Sequence, residues 1–264
     1  MRSASRASLT SARAVLSELG GAADLATGEE ILSAGRTIAS SPQLLTVFAD
    51  PTADDTGKRA VVDRVFSSRS DATRAVLGAV VAARWSSQGD LLAGVEDLGI
   101  RTVAASAPYG TSIESELFTF EAAVRSDADL ELALGTKLGS AQQKAALVGR
   151  LLSGKASAQT VAILSHLVQQ PRGRRIGELV RDASRAVAEQ ADKLVATVVT
   201  AAPLTPAQSA RITGGIAKKY GRDVIINEVV DPTVVGGVRV QIGGDVIDGT
   251  VSTRLLDLKL QLAG

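Results

Sequence analysis

Residues Gly149–Ala156 ("GRLLSGKA") have the G-x-x-x-x-G-K spacing of a phosphate-binding loop. In such a loop the backbone N–H groups hold the phosphates, and a Ser or Thr directly after the lysine holds Mg²⁺. Here Ala156 follows Lys155, and Gly149 lies within a helical pattern instead of after a strand. We therefore expect the end of a helix, closed by Gly154, and no nucleotide site.

A second glycine-rich stretch, Val235–Leu255 ("VGGVRVQIGGDVIDGTVSTRL"), contains five glycines. A phosphate loop needs glycines between a strand and the beginning of a helix. Gly236–Gly237 and Gly243–Gly244 both lead into predicted strands, and only Gly249 precedes a predicted helix. We expect turns, with a tight hairpin at Gly243–Gly244.

His166 is the only histidine of the chain, so neither a histidine-based triad nor a multi-histidine metal site can be assembled. It falls off the apolar stripe of its helical pattern, and we expect it at the surface or the rim. The basic run Pro171–Arg175 ("PRGRR") is expected to be a solvated turn, with contact to an anionic partner as the alternative.

Three acidic residues near the carboxyl terminus raise the possibility of paired carboxylates: Asp231, Asp245 and Asp248. Turn and cap roles explain all three, and no base or nucleophile accompanies them. The sequence therefore predicts no catalytic site, no cofactor, no metal and no small-molecule substrate.

Composition limits the remaining classes. The 264 residues are 45% hydrophobic and 3% aromatic, carry a net charge of +1 and include no cysteine. The charge balance argues against a nucleic-acid binder, and the missing cysteines exclude disulfides and thiolate metal sites. No apolar run has the length of a signal peptide or a membrane span. Any membrane association is thus expected through a partner.

Apolar residues at three- and four-residue spacing predict helices separated by short breaks up to about residue 193. The segment Lys58–Ser67 ("KRAVVDRVFS") aligns with Lys144–Ser153 ("KAALVGRLLS"), 86 residues further on. This offset predicts two tandem copies of one antiparallel helical bundle. Trp85, in the turn that corresponds to Pro171–Arg175, is expected to pack over the end of its bundle, with an interface anchor as the alternative.

The composition changes after residue 193. Leu194–Thr205 predicts a strand and Thr205–Gly221 a helix, and a last helix is predicted at Thr253–Leu262. Between these two helices the sequence predicts three strands, at Asp223–Val230, Val238–Ile242 and Asp245–Asp248. The predicted fold is mainly α, with a small α+β domain of order β-α-β-β-β-α at the end. We place the first bundle at 1–105, the second at 106–193 and the small domain at 194–264.

The stretch Val230–Leu258 resembles the carboxyl-terminal signature of the F-type ATP synthase delta subunit family, also called the oligomycin-sensitivity-conferring protein family. Thr200–Gly221 also fits that family as a strand, a proline corner and a helix. Two helical copies, with "ARWS" (Ala83–Ser86) and "PRGRR" at matching turns, resemble the long actinobacterial form. The matching motif residues, for which the resemblance implies structural or partner-facing roles, are Asp231, Gly236, Gly237, Asp248, Gly249 and Arg254.

The resemblance implies a non-catalytic subunit that joins the catalytic head to the peripheral stalk and holds it against rotor torque. It implies that a helical bundle receives amino-terminal helices of the alpha subunits, and we favour the first copy because it has the full leading helix. The small domain would bind the stalk b subunit, at the cytoplasmic face of the cell membrane. The alternatives are a helical adaptor of another cytoplasmic complex and a nucleotide-binding protein that uses Gly149–Ala156.

Overall fold

The computed structural model describes residues 3–20, 23–135, 139–242, 245–251, 253 and 255. The chain divides into two compact units, Met1–Val187 and Ala188–Gly264. The first unit is helical, and the second contains a small mixed sheet. The finer division at residues 105 and 193 stays a prediction.

Helices occupy the described part of the first unit, in the places that the apolar spacing predicted. The breaks between them contain the turn formers seen in the sequence, such as Ser41 before Pro42. The helices are α1 Ser3–Glu18, α2 Leu25–Ser40, α3 Pro42–Ala49, α4 Asp55–Val65, α5 Asp71–Ala82, α6 Gln88–Ala105, α7 Ile113–Ser126, α8 Ala128–Gly135, α9 Ala141–Leu152, α10 Ala158–Gln169 and α11 Ile176–Gln190.

Short polar side chains fix where several of these helices begin. Ser41, Asp54 and Ser87 each accept a hydrogen bond from a backbone N–H in the first turn of the following helix. Such caps satisfy N–H groups that have no partner inside the helix and contribute about 1 kcal/mol each.

Two apolar cores lie within the helical unit. The first core consists of buried residues of α1–α6, from Leu9 to Leu98. The second core consists of buried residues of α7–α11, from Ile113 to Val187, together with Leu32, Ile100 and Val103. Residues paired by the 86-residue offset are buried in both cores: Ile31 and Leu117, Ile38 and Val124, Phe48 and Leu134, Val62 and Val148.

One hydrogen-bonded arrangement occurs twice in the helical unit. Glu30 Oε2 accepts from Ser70 N at 2.9 Å, from Ser70 Oγ at 2.7 Å and from Thr73 Oγ1 at 2.8 Å. Glu116 Oε2 accepts from Ser157 N at 3.0 Å, from Ser157 Oγ at 2.7 Å and from Thr160 Oγ1. A helix carboxylate thus holds the beginning of α5 and, in the same way, that of α10.

The second unit contains strands β1 Lys193–Thr200, β2 Asp223–Val230, β3 Val238–Ile242 and β4 Asp245–Asp248, and helix α12 Pro206–Tyr220. The strand order is β2-β1-β3-β4, with β1 parallel to β2 and antiparallel to β3. Thr205 caps α12, and Gly221 closes it in the left-handed conformation. The first strand ends at Thr200 rather than continuing to Thr205, because the chain bends there and Pro203 has no backbone N–H to donate.

The described residues thus form a mainly helical chain with a small mixed sheet near its carboxyl terminus, as the sequence predicted. The predicted last helix, Thr253–Leu262, lies largely outside the described residues.

Candidate functional site

A groove runs along α5 on the first core. A stripe of small residues, Ala75, Gly78 and Ala79, forms its floor at helical spacing. Because the distance between packed helices depends on the side chains at the contact, a small-residue floor admits a second helix closely. Val15 of α1 lies on one side, and charged residues complete the lining: Arg59, Asp63, Asp71 and Arg74.

Opposite charges on the rim of this α5 groove are held in pairs. Arg74 contacts Asp71, and its Nε lies 3.7 Å from Asp63 Oδ1. Both carboxylates are solvent-exposed, so these pairs contribute little to stability. The rim of the groove therefore carries both positive and negative side chains around an apolar floor.

The corresponding face of α10 lines a second groove. Ser70 and Ser157 cap α5 and α10, which places Gly78 at the same helix position as Ser165. Residues of α10 line this groove together with Ala26, Ser33 and Arg36 of α2. The α5 groove is thus bordered by α1 and α4, and the α10 groove by α2.

His166 and the arginine turn are placed differently from the prediction. His166 is only 2% exposed, with Nδ1 2.8 Å from Arg36 Nη1 and Nε2 3.5 Å from Glu96 Oε2. Arg172 Nη2 and Arg174 Nη2 donate to Glu96 Oε1 at 2.7 and 2.8 Å. The predictions of a surface histidine and of a solvated turn were thus wrong. Both groups contact the carboxylate of Glu96, which lies on α6, far away in sequence.

The electrostatics of this buried cluster follow from its charges. Burial opposes ionisation of Glu96, but the hydrogen bond with His166 and the charges of Arg172 and Arg174 outweigh it and lower the pKa of Glu96. Burial lowers the pKa of His166, and the nearby Glu96 only partly offsets this effect. Since Arg36 donates to Nδ1, the ring is neutral and carries its proton on Nε2.

Trp85 packs over the end of the first core, as predicted. It is 7% exposed, and its Nε1 donates to Val80 O at 2.7 Å. The indole lies on Gly94 of α6, where a Cβ would come within 2.3 Å of Cη2. The aromatic ring therefore requires glycine at this position.

The glycines of the carboxyl-terminal motif build turns. Gly236 and Gly237 have positive φ angles of 107° and 83°. Gly249 N donates to Val238 O at 2.9 Å, and Val251 N donates to Gly236 O at 3.1 Å. These backbone N–H groups have partners within the chain, which is the behaviour of a turn and not of a phosphate loop.

The acidic motif residues stabilise the same turns. Asp231 Oδ1 accepts from Thr233 Oγ1 and N at 2.7 and 2.9 Å, and these hydrogen bonds lower the pKa of Asp231. Asp248 Oδ1 accepts from Thr250 N at 2.9 Å, which lowers the pKa of Asp248. Arg254 and the predicted Gly243–Gly244 hairpin turn lie outside the described residues. Whether the six motif residues also face a partner stays a prediction.

The G-x-x-x-x-G-K segment is the end of a helix, as predicted. Gly149 lies inside α9, and Gly154 adopts a φ of +66° after it. The backbone N–H groups of Lys155 and Ala156 both donate to Leu152 O. They are therefore not available to a phosphate.

Across the described ranges, no group of three or more His, Cys, Asp or Glu side chains has the arrangement of a metal site. None of the described helices combines the length and apolarity needed to cross a bilayer. The described residues do form an open groove along α5, above the buried first core.

Comparisons with known proteins identify the class of protein to which this chain belongs. The family described as "ATP synthase delta (OSCP) subunit" matches residues 102–262. ATP synthase subunit delta of Leifsonia xyli is 53% identical over the whole of both chains, and that of Thermobifida fusca is 35% identical over the whole of both chains.

A solved structure gives a weaker likeness. A chain in the cryo-EM structure of the Toxoplasma gondii mitochondrial ATP synthase hexamer is 20% identical, with a TM-score of 0.43, over 64% of this chain and 96% of that chain. A TM-score this low does not establish a shared fold.

This chain belongs to the ATP synthase delta (OSCP) subunit family. It is a non-catalytic subunit of the peripheral stalk of ATP synthase. This membership favours the stalk role over the alternative of an adaptor in another complex. The family match begins at residue 102, so α1–α5 lie outside it, although the full-length relatives extend over them.

Proposed function

We propose that this subunit joins the catalytic head of ATP synthase to the peripheral stalk by binding an amino-terminal helix of an alpha subunit in the α5 groove. The small domain, 194–264, binds the end of the stalk b subunit. The protein then lies at the cytoplasmic face of the cell membrane, held there only through the complex. The open α5 groove is the observation that carries this proposal.

The α5 groove has the features of a helix-in-groove site. Such sites present an apolar floor to the apolar face of an amphipathic helix. Ala75, Gly78 and Ala79 supply the floor, and Arg59 and Asp63 stand beside it for polar side chains of the incoming helix. A connector under continuous torque needs tight binding, on the order of −12 kcal/mol for nanomolar affinity.

We also propose that the helical unit consists of two tandem copies of one bundle, of which the first binds the alpha subunit. The repeated arrangement around Glu30 and Glu116 supports the duplication. In the second copy the face of α10 that includes Ser165 also lines a groove, which α2 borders. We place the receptor in the first copy because it has the full leading helix α1, whose Val15 borders the α5 groove.

Exposed apolar side chains in the second unit support a partner surface for the b subunit. Val235 is 73% exposed and Val246 is 58% exposed. Val235 directly precedes the turn built by Gly236 and Gly237, and Val246 lies in β4. Large exposed apolar residues that cluster in one region mark interaction surfaces.

A peptide with the sequence of the alpha-subunit amino-terminal helix from the same organism tests the groove. The peptide is titrated into the full-length chain, and its affinity is measured by calorimetry. Gly78→Leu fills the floor of the groove, where a Cβ meets nothing nearer than Arg59 Cγ at 3.7 Å. We expect this variant to fold normally and to weaken binding at least about tenfold.

Gly149→Leu is the matched control, because it makes the same change on α9, where no atom lies within 4 Å of the added Cβ. We expect unchanged affinity for this control. Unchanged affinity in Gly78→Leu would contradict the α5 groove as the receptor. If Ala162→Leu on α10 abolished binding instead, the second copy would be the receptor.

A further inference from the structure

Helix α6 belongs to both cores of the helical unit. Leu91, Val95 and Leu98 lie in the first core, and Ile100 and Val103 lie in the second. Ten residues between Leu91 and Val103 are buried. A helix that is buried around most of its circumference is the element through which two cores are connected.

Glu96 is a buried carboxylate on α6 that contacts the second copy. Its side chain is 9% exposed, and Oε1 accepts from both Arg172 and Arg174 in the turn between α10 and α11. Oε2 accepts a further hydrogen bond from Arg174 at 2.9 Å and faces His166 of α10. A single carboxylate therefore binds two guanidinium groups.

The turn that contacts Glu96 contains a residue in an unfavourable backbone conformation. Arg172 has a φ of +49°, a region that residues with a side chain rarely adopt. Such a conformation persists only where surrounding contacts hold it in place. Here the contacts are those of the Arg172 side chain with Glu96 and with Gly89 O.

The corresponding turn of the first copy is held by a serine of α1. There Ser86 N donates to Ser5 Oγ at 2.9 Å, and the same hydroxyl donates to Asp90 Oδ2 of α6 at 2.7 Å. A serine hydroxyl thus holds the turn in the first copy, whereas two guanidinium groups on a carboxylate hold it between α6 and the second copy. Charge-assisted hydrogen bonds are about twice as strong as neutral ones and are directional.

We infer that Glu96 is a positioning residue that locks the second core onto the first, so that the helical unit carries load as one body. Contact between His166 and Arg36 adds a second link, from α10 to α2. The importance of this stiffness for torque rests on the proposed function. The lock itself is a property of the isolated chain.

Spin labels on the full-length chain test the lock directly. Because the chain has no cysteine, Arg64→Cys on α4 and Gln142→Cys on α9 create two unique and exposed label sites. We expect one narrow distance distribution with Glu96 present and a broader one in Glu96→Gln. Hydrogen exchange of α10 and α11 amides is expected to accelerate about tenfold or more in Glu96→Gln.

Asp97→Asn is the matched control, because Asp97 is the neighbouring carboxylate on α6 but binds Arg13 of α1. We expect it to leave the distance distribution and the α10–α11 exchange unchanged. Combining Glu96→Gln with Arg172→Gln and Arg174→Gln removes the uncompensated charges and is expected to recover part of the lost protection. If Glu96→Gln impairs folding, Arg172→Gln alone supplies a milder variant with the same predicted direction.

Two results would overturn the lock: a distance distribution that stays narrow in folded Glu96→Gln, or an equal effect of Asp97→Asn. Since no alpha-subunit peptide is present, either result would leave the proposed groove untouched. Conversely, loss of peptide binding to the groove would not affect these distances.

Discussion

Gly237→Ala tests whether the carboxyl-terminal glycine motif is required by backbone geometry. Gly237 has a φ of +83°, and an added Cβ would lie 2.5 Å from Gly249 O and 2.7 Å from Thr250 Cα. The left-handed conformation costs an L-residue roughly 1–2 kcal/mol. Overlap with backbone, which cannot rotate away, costs roughly 1–3 kcal/mol more. After the smaller gain from a stiffer unfolded chain, we expect a loss of about 2–4 kcal/mol.

Native-state hydrogen exchange of the β1 and β3 amides measures this loss in the second unit. At about 1.4 kcal/mol per factor of ten, exchange should accelerate roughly 30- to 900-fold in Gly237→Ala. Gly221→Ala separates the two contributions, because Gly221 has a φ of +68° but no atom within 4 Å of an added Cβ. It should accelerate exchange less than about tenfold.

Gly214→Ala provides a control for which we expect a gain in stability instead of a loss. Gly214 lies exposed inside α12 with no atom within 4 Å of an added Cβ, so alanine should stabilise the helix by about 1 kcal/mol. If Gly237→Ala accelerated exchange no more than Gly221→Ala, the close approach to Gly249 and Thr250 would have no energetic importance.

Three further predictions concern the helical unit. The pKa of His166 is lowered from its ordinary 6.5, so below pH 6.5 the unfolded chain binds a proton that the folded chain does not. The free energy of unfolding should therefore fall as pH drops below 6.5, by at most about 1.4 kcal/mol per pH unit. In urea titrations His166→Gln should lose this pH dependence, and a pH profile identical to that of the unchanged chain would contradict the prediction. Gly94→Ala should displace the indole of Trp85 and lower the free energy of unfolding by about 1–3 kcal/mol. Because Trp85 is the only tryptophan of the chain, its fluorescence emission should change, and an unchanged emission spectrum would contradict the contact. Equilibrium dialysis with ATP should give no saturable binding to the isolated chain and no change in Lys155→Ala, whereas binding that Lys155→Ala abolished would restore the nucleotide alternative.

Local patterns of the sequence predicted the elements of this fold well. The strands Asp223–Val230, Val238–Ile242 and Asp245–Asp248 occur at the predicted residues. Thr205 and Gly221 cap α12 as their residue types indicate. These signals are local, since turn glycines, caps and apolar periodicity act within a few residues of one another.

The buried polar cluster could not be predicted in the same way. His166 lies 70 residues from Glu96 in sequence and 130 from Arg36, and nothing local to any of them shows that they meet. The basic run around Arg172 resembles a solvated turn until the fold supplies Glu96 as a partner. The pairing of Glu30 with the beginning of α5 is equally non-local, although its recurrence at Glu116 follows the 86-residue offset.

Rebinding of the catalytic head to membranes tests the central claim most directly. Membrane vesicles that retain the rotor ring and the stalk b subunit are stripped of head and delta subunit, and purified head is added back with or without the full-length chain. The account predicts that the head sediments with the vesicles and regains proton-coupled ATP hydrolysis only when the chain is present, and that Gly78→Leu fails where Gly149→Leu succeeds. Equal rebinding with and without the chain would contradict its role as the connector.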